Sequence, residues 1–172
     1  ACHQAMILDP QSKIMNSASD AISKADLVYL ACPPAVREPY ALAAAKAGKA
    51  LFLEKPFGID LNDSARLMAQ LQAYDVPVAV NFTQASGAAL TDLLAAKDRG
   101  EMGDLLGVDI ILTYPAWPRQ WQKGADWLRF RAEGGMTREV ISHFLFFTER
   151  VLGPLSLVSA HTTYPDDPSL CE

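Results

Sequence analysis

The chain has 172 residues, 50% of them hydrophobic, 9% aromatic and 20% charged, which is a globular composition with material for one full core or two small ones. A net charge of −5 without any run of Lys or Arg excludes a nucleic-acid surface, and no apolar stretch approaches the roughly 18 residues of a membrane span. Cys2, Cys32 and Cys171 are odd in number and widely spaced; with no basic leader visible in the first residues, they suit the cytoplasm and neither a disulfide framework nor a zinc site.

In chain order, Ala1 to Leu8 reads as the tail of a helix stopped by Asp9-Pro10, and Ala18 to Lys24 as a short helix after an Asn16/Ser17 cap. Leu27 to Ala31 is a continuous apolar run closed by Cys32-Pro33-Pro34, the pattern of a strand buried on both faces. Val36 to Ala47 is an alanine-rich helix, with Pro39 tolerable in its first turn and Gly48 at its C′ position. Ala50 to Leu53 is the next strand and runs into Glu54-Lys55-Pro56. Asp60 caps a helix from Leu61 to about Tyr74, with Leu61, Ala65, Leu67, Met68 and Leu71 as its expected buried stripe. Val76 to Phe82 makes a third strand, and Pro77 keeps its start off a central ladder. This alternation predicts an α/β fold with a parallel, helix-covered sheet and right-handed crossovers.

The pattern changes near residue 83, where a domain boundary is placed. Gly87 to Arg99 reads as a helix, 100–103 as a turn, and 115–133 as a loop rich in Trp, Arg and Pro. Leu105 to Tyr114 and Leu155 to Thr163 read as strands, and Thr137 to Leu152 as a helix closed by Gly153-Pro154. Residues 84–172 are therefore expected to be an α+β unit.

Two segments can carry chemistry. Glu54-Lys55-Pro56 puts a carboxylate and an ammonium at the C-terminal mouth of a strand, where open parallel sheets bind ligands. Pro56 has no N–H and a fixed φ, so it ends the ladder and stiffens the turn. Lys55 there either serves an anion or a proton transfer, or is a surface lysine at a strand end. In the second segment, Gly134-Gly135 precede a helix with Thr137 as the expected N-cap and Glu139 in the first turn. Glu139 and His143 are four apart and project from one face, beside the apolar face of Val140, Phe144, Phe147 and Val151. A carboxylate one turn away can orient a histidine for proton transfer near neutral pH; the same pair also fits a half-buried helix histidine bonded to its neighbour. Cys32 reads as a reactive thiol or as a small buried hydrophobe. Trp117, Trp121 and Trp127 with Arg119, Arg129 and Arg131 either line a substrate pocket or fold the loop down by its aromatics. His3 and His161 have no partners in sequence.

Ala31-Cys32-Pro33, Ala47-Gly48-Lys49, Glu54-Lys55-Pro56, Asn81 at the next strand end, then Gly134-Gly135, Glu139 and His143 follow in a set order. That order and spacing resemble the glucose–fructose oxidoreductase / inositol dehydrogenase / rhizopine-catabolism (Gfo/Idh/MocA) family of NAD(P)-dependent oxidoreductases. The resemblance implies that residues 1–83 are the C-terminal portion of a Rossmann domain holding NAD or NADP. Residues 84–172 would be part of an α+β open-sheet domain that presents the substrate and supports a homo-oligomer. Cys32, Pro33, Arg37, Glu54, Lys55, Pro56 and Asn81 would lie against the cofactor. Lys55, Trp121, Arg129, Glu139 and His143 would contact a sugar, cyclitol or related hydroxy or keto compound. Lys55 would position or protonate the reacting oxygen, His143 would be the general acid/base, and Glu139 would orient it or bind a substrate hydroxyl. No metal is expected. The alternative is a non-catalytic cofactor- or sugar-responsive binding protein on the same scaffold.

The sequence departs from the family pattern at several points. No Gly-x-Gly-x-x-Gly occurs, and Asp9 is a candidate for the ribose-binding acid, although Pro10 favours a helix end there. Cys32 replaces the usual Thr, and Arg37 stands where His is common. Glu139 replaces Asp, and Phe146 stands where a second Asp often follows the His. The family's second sheet would extend beyond Glu172, so the chain is expected to be an internal piece of a longer protein.

Overall fold

The computed structural model describes residues 17–172. The expected helix over Ala1 to Leu8, and Cys2, His3 and Asp9, lie outside the described residues. The chain divides into two compact units, Ala1–Asn81 and Phe82–Glu172.

In the first unit β1 (Leu27–Leu30), β2 (Ala50–Glu54) and β3 (Val78–Asn81) form a parallel sheet in that spatial order. Val28 lies opposite Leu51, Leu53 opposite Val80, and Glu54 opposite Asn81. Pro77 sits just ahead of β3, and its carbonyl still accepts from the Leu51 N–H at 2.9 Å, so the missing N–H costs the ladder nothing. α1 (Ala18–Lys24) is capped by Ser17, whose hydroxyl accepts from the Asp20 N–H at 3.1 Å. α2 (Glu38–Lys46) carries Pro39 at its start, and Gly48 at φ +71° ends the turn that follows it. α3 (Leu61–Leu71) starts from Asp60, whose carboxylate accepts from the Asp63 N–H at 2.8 Å.

Strand side chains alternate, so Val28, Leu51 and Leu53 share one face. Ile22, Ala41, Ala44, Ala45, Leu67 and Leu71 meet them there as a single core. The alanines let α2 approach the sheet closely, and Leu53 is wholly buried. The other face carries Leu27, Tyr29 and Phe52, with Leu27 and Tyr29 exposed. β1 is therefore buried on one face and not on two as its apolar run predicted. α2 and α3, which follow β1 and β2, both contribute to this core and so cover the same side of the sheet. α3 also corrects its predicted stripe: Leu67 and Leu71 are buried, whereas Leu61 (87% exposed) and Met68 (51%) face away. Leu61, Ala65 and Met68 form a row about 100° round the helix from Leu67 and Leu71, and the core takes the second row.

In the second unit α4 (Ala88–Asp98) packs with a long helix built of a π-helical turn, Thr137–Ile141, and α5 (Ser142–Leu152). The Lys97 ammonium donates to the Val151 carbonyl and so caps the end of α5. Met136, not Thr137, is the residue flanking the start of the π turn. The 115–133 stretch is drawn in by its own donors. The Trp117 indole donates to the Leu128 carbonyl at 3.0 Å, and short 3-10 turns form at Gln120–Gln122 and Asp126–Arg129. The Arg131 N–H donates to Ser169 and the Cys171 N–H to Arg129, both at 2.9 Å. Gly134 is required here, because a Cβ would lie 2.2 Å from the Leu128 carbonyl oxygen. The strands predicted over 105–114 and 155–163 are not in any ladder; among the described residues their alternation meets no partner strand, and Leu106 and Val158 are almost fully exposed.

Leu53→Ala should lower stability by about 2–5 kcal/mol by leaving a cavity under the sheet, whereas Met68→Ala should change it by less than about 0.5 kcal/mol. Urea denaturation of the two variants checks the assignment of the buried row.

Candidate active site

The carboxyl ends of the three strands form one rim. Cys32 and Pro33 follow β1, Glu54-Lys55-Pro56 ends and follows β2, and Asn81 ends β3. One side chain shapes this rim. Arg37 is 1% exposed, and its Nη1 donates to the carbonyls of Glu54 (2.5 Å), Pro56 and, more weakly, Phe57 (3.4 Å). Its Nη2 donates to the Cys32 carbonyl at 2.7 Å. A planar guanidinium presents donors in a rigid fork, so a single buried cation binds the loop after β1 to the loop after β2. The residues that carry these carbonyls are partly buried, and the guanidinium supplies them with donors. Arg37, expected against the cofactor, thus donates to the backbone on either side of Lys55. The Lys55–Pro56 peptide is cis.

A second network crosses all three strands. The Glu54 carboxylate accepts from the Tyr29 hydroxyl and from Asn81 Nδ2, the latter at 2.7 Å. Desolvation, the hydrogen bond to Glu54 and the charge of that carboxylate push the Tyr29 phenol up to about 12. Tyr29 is therefore a permanent donor at neutral pH. It was hidden inside an apolar run, and its only sequence signal is parity: Tyr29 stands opposite Phe52, on the face that also carries Glu54.

In the second unit Glu139 is buried and His143 half-buried on the same long helix. The Ser142 N–H donates to Thr137 O, five residues back, which is the wide turn that brings the helix from Glu139 to His143. The edge of the His143 imidazole meets the Phe82 ring at 5.7 Å, and Phe82 stacks on Phe146 at 4.6 Å. Phe146, in place of a second acid, supports the ring against which His143 rests. The Glu172 carboxylate accepts from the Thr137 N–H at 2.8 Å at the helix start. Of the two loop residues expected to bind substrate, Trp121 is exposed, with the Arg119 guanidinium 4.8 Å above its ring. Arg129 pairs with Asp126 at 3.3 Å and borders a surface hollow with Arg119 and Lys123. Arg119, unremarked as an anchor in sequence, also lies over Tyr114 and Trp117. Among the described residues no group of three or more His, Cys, Asp or Glu could hold a metal ion, and no helix is long and apolar enough to cross a membrane.

Residues 4–82 match the model of an oxidoreductase family with an NAD-binding Rossmann fold. The chain is 30% identical over 130 residues to the dTDP-3,4-didehydro-2,6-dideoxy-α-D-glucose 3-reductase of Streptomyces violaceoruber, a match that takes in 74% of this chain and 36% of the reductase. Among solved structures it superposes on the WlbA dehydrogenase from Bordetella pertussis, in complex with NADH and UDP-GlcNAcA, with a TM-score of 0.64 at 24% identity. That match covers 80% of this chain and 44% of the other. A putative myo-inositol dehydrogenase from Sinorhizobium meliloti 1021 gives a TM-score of 0.60 at 22% identity, over 78% and 40% of the two chains. These structural matches show a shared fold. The chain spans little more than a third of the curated relative's length.

Arg37→Met should cost at least about 2 kcal/mol, because it strands several partly buried carbonyls; Arg66→Met, which removes exposed ion pairs to Glu38 and Asp63, should cost less than about 1 kcal/mol. Denaturant midpoints compare the two. A pH titration tests Tyr29: its raised phenol contributes stability that is complete below the ordinary phenol range and is lost as pH rises toward about 12. At pH 11 the wild type and Tyr29→Phe should therefore show the same phenolate absorbance, and a deficit in the variant would contradict the assignment.

Proposed function

We propose, for a chain whose residues 4–82 match the model of an oxidoreductase family with an NAD-binding Rossmann fold, that the protein is an NAD(P)-dependent oxidoreductase. It moves hydride to or from a sugar, cyclitol or related hydroxy or keto compound. The observation that carries this is the rim at the carboxyl ends of β1–β3, where Lys55 stands on a turn clasped by Arg37, beside an oriented Glu54–Asn81 pair. The sugar-acting reductase among the relatives, and the inositol dehydrogenase and NADH–sugar nucleotide complex among the structures of like fold, support the substrate class.

The residues present fit the nicotinamide end of the cofactor. The rim offers polar groups with fixed directions and a backbone held from behind, and Cys32, Pro33, Glu54, Lys55, Pro56 and Asn81 would hold that end. When bound, the nicotinamide supplies or accepts the hydride. Lys55 places a cation beside the oxygen of the carbon that changes oxidation state, stabilising negative charge that develops there. His143 holds or takes the hydroxyl proton, and buried Glu139, one turn earlier, orients the imidazole. The apolar Phe82 support restricts the ring and limits water beside it. Trp121 and Arg129 remain candidates for substrate contact, a cytoplasmic setting matches the acidic, cysteine-poor chain, and a homo-oligomer is the proposed assembly.

In the full-length protein that carries this chain, Lys55→Ala and His143→Ala should each lower kcat by about 100-fold or more, with circular dichroism unchanged. Unchanged turnover in both variants would overturn the assigned roles. Cofactor binding without hydride transfer across a panel of polyols, sugars and sugar nucleotides would instead favour the non-catalytic binding protein.

A further inference from the structure

The Tyr29–Glu54–Asn81 network does more than join strands, because it decides which way the Asn81 amide faces. An ionised carboxylate only accepts, so the Asn81 edge turned toward Glu54 must be its NH2. Rotating the amide by half a turn would set Oδ1 against a carboxylate oxygen, two acceptors in contact. Tyr29, kept protonated, in turn donates to Glu54 and fixes the carboxylate. Glu54 and Asn81 end β2 and β3 and are register partners, and Tyr29 lies within β1, so the geometry is set by the ladder and not by a mobile loop.

We infer that Tyr29 and Glu54 are positioning residues that present Asn81 Oδ1, as an acceptor, to the carboxamide NH2 of the nicotinamide. This rests on the proposed use of a nicotinamide cofactor. The acceptor stands at the carboxyl end of β3, on the rim where a ligand of an open parallel sheet binds. A carboxamide has both a carbonyl and an NH2, and an acceptor fixed in the protein holds the ring in one of its two flipped orientations. Glu54 and Tyr29 thereby bear on which face of the ring is presented, without touching the reacting atoms.

The test uses the full-length protein and two cofactors, NADH and reduced 3-acetylpyridine adenine dinucleotide, in which the carboxamide NH2 is a methyl group. Fluorescence titration should show the wild type binding the analogue about 10-fold more weakly than NADH, the loss of one paired hydrogen bond. Glu54→Gln keeps the size of the side chain but offers both a donor and an acceptor, so either Asn81 orientation is then satisfied. Discrimination should fall to about 3-fold or less. Tyr29→Phe should reduce it by a smaller factor, and Asn81→Ala should abolish it. A purely structural role would weaken both cofactors together and leave their ratio unchanged. Equal binding of the two by a wild type that holds NADH tightly, or an unchanged ratio in Glu54→Gln, overturns the inference and leaves the oxidoreductase reading intact. Failure of the wild type to bind NADH or NADPH at all overturns both.

Discussion

A single buried guanidinium constrains the first unit more than any apolar contact does. Arg37 is the last residue before α2, and it gathers carbonyls from the loops after β1 and β2. A strand end is normally where order decays, because its carbonyls leave the ladder and water takes over. Here the carbonyls converge on a cation that cannot be deprotonated, so the order of the sheet extends past its last hydrogen-bonded pair. The same residue fixes where α2 begins, and with it the approach of Ala41, Ala44 and Ala45 to the sheet. Core and rim are thus coupled through one side chain.

The two units hold their chemical groups in different ways. In the first, polar groups are oriented by other polar groups: a carboxylate by a phenol and an amide, and carbonyls by a guanidinium. In the second, the imidazole of His143 is set against aromatic rings, and the helix that carries it is tied at its ends by Glu172 and Lys97. The first arrangement favours direction, the second exclusion of water.

Much of the first unit was legible because local rules and tertiary needs agree there. Asp60 before Leu61 and Gly48 after a run of alanines place α3 and the end of α2, and the apolar runs before Cys32 and Glu54 place β1 and β2. The errors came where one pattern served two geometries. Leu61 and Met68 are as hydrophobic as Leu67 and Leu71, and only the direction of the sheet selects between the rows. Leu105 to Tyr114 alternates like a strand, but a strand is a relation between segments, and alternation alone cannot supply the partner. Of the site, the Glu54-Lys55-Pro56 turn and the Glu139–His143 spacing could be read directly. Tyr29 could not, since an aromatic within an apolar run carries no mark of its hydroxyl's partner, and neither did Arg37 show that it would face inward.

The π turn over Thr137–Ile141 has a consequence for how this segment tolerates change. A wide turn holds one residue more than an α turn does, so the facing of Glu139 and His143 is encoded by a residue count as well as by residue identity. Removing Val140 or Ile141 would take out the residue that the wide turn accommodates and let the segment relax to a regular α-helix. It would leave Glu139 and His143 three residues apart instead of four, one α turn then spanning what the wide turn spans now. A deletion at these two positions therefore acts on the spacing of the acid and the imidazole without changing either residue.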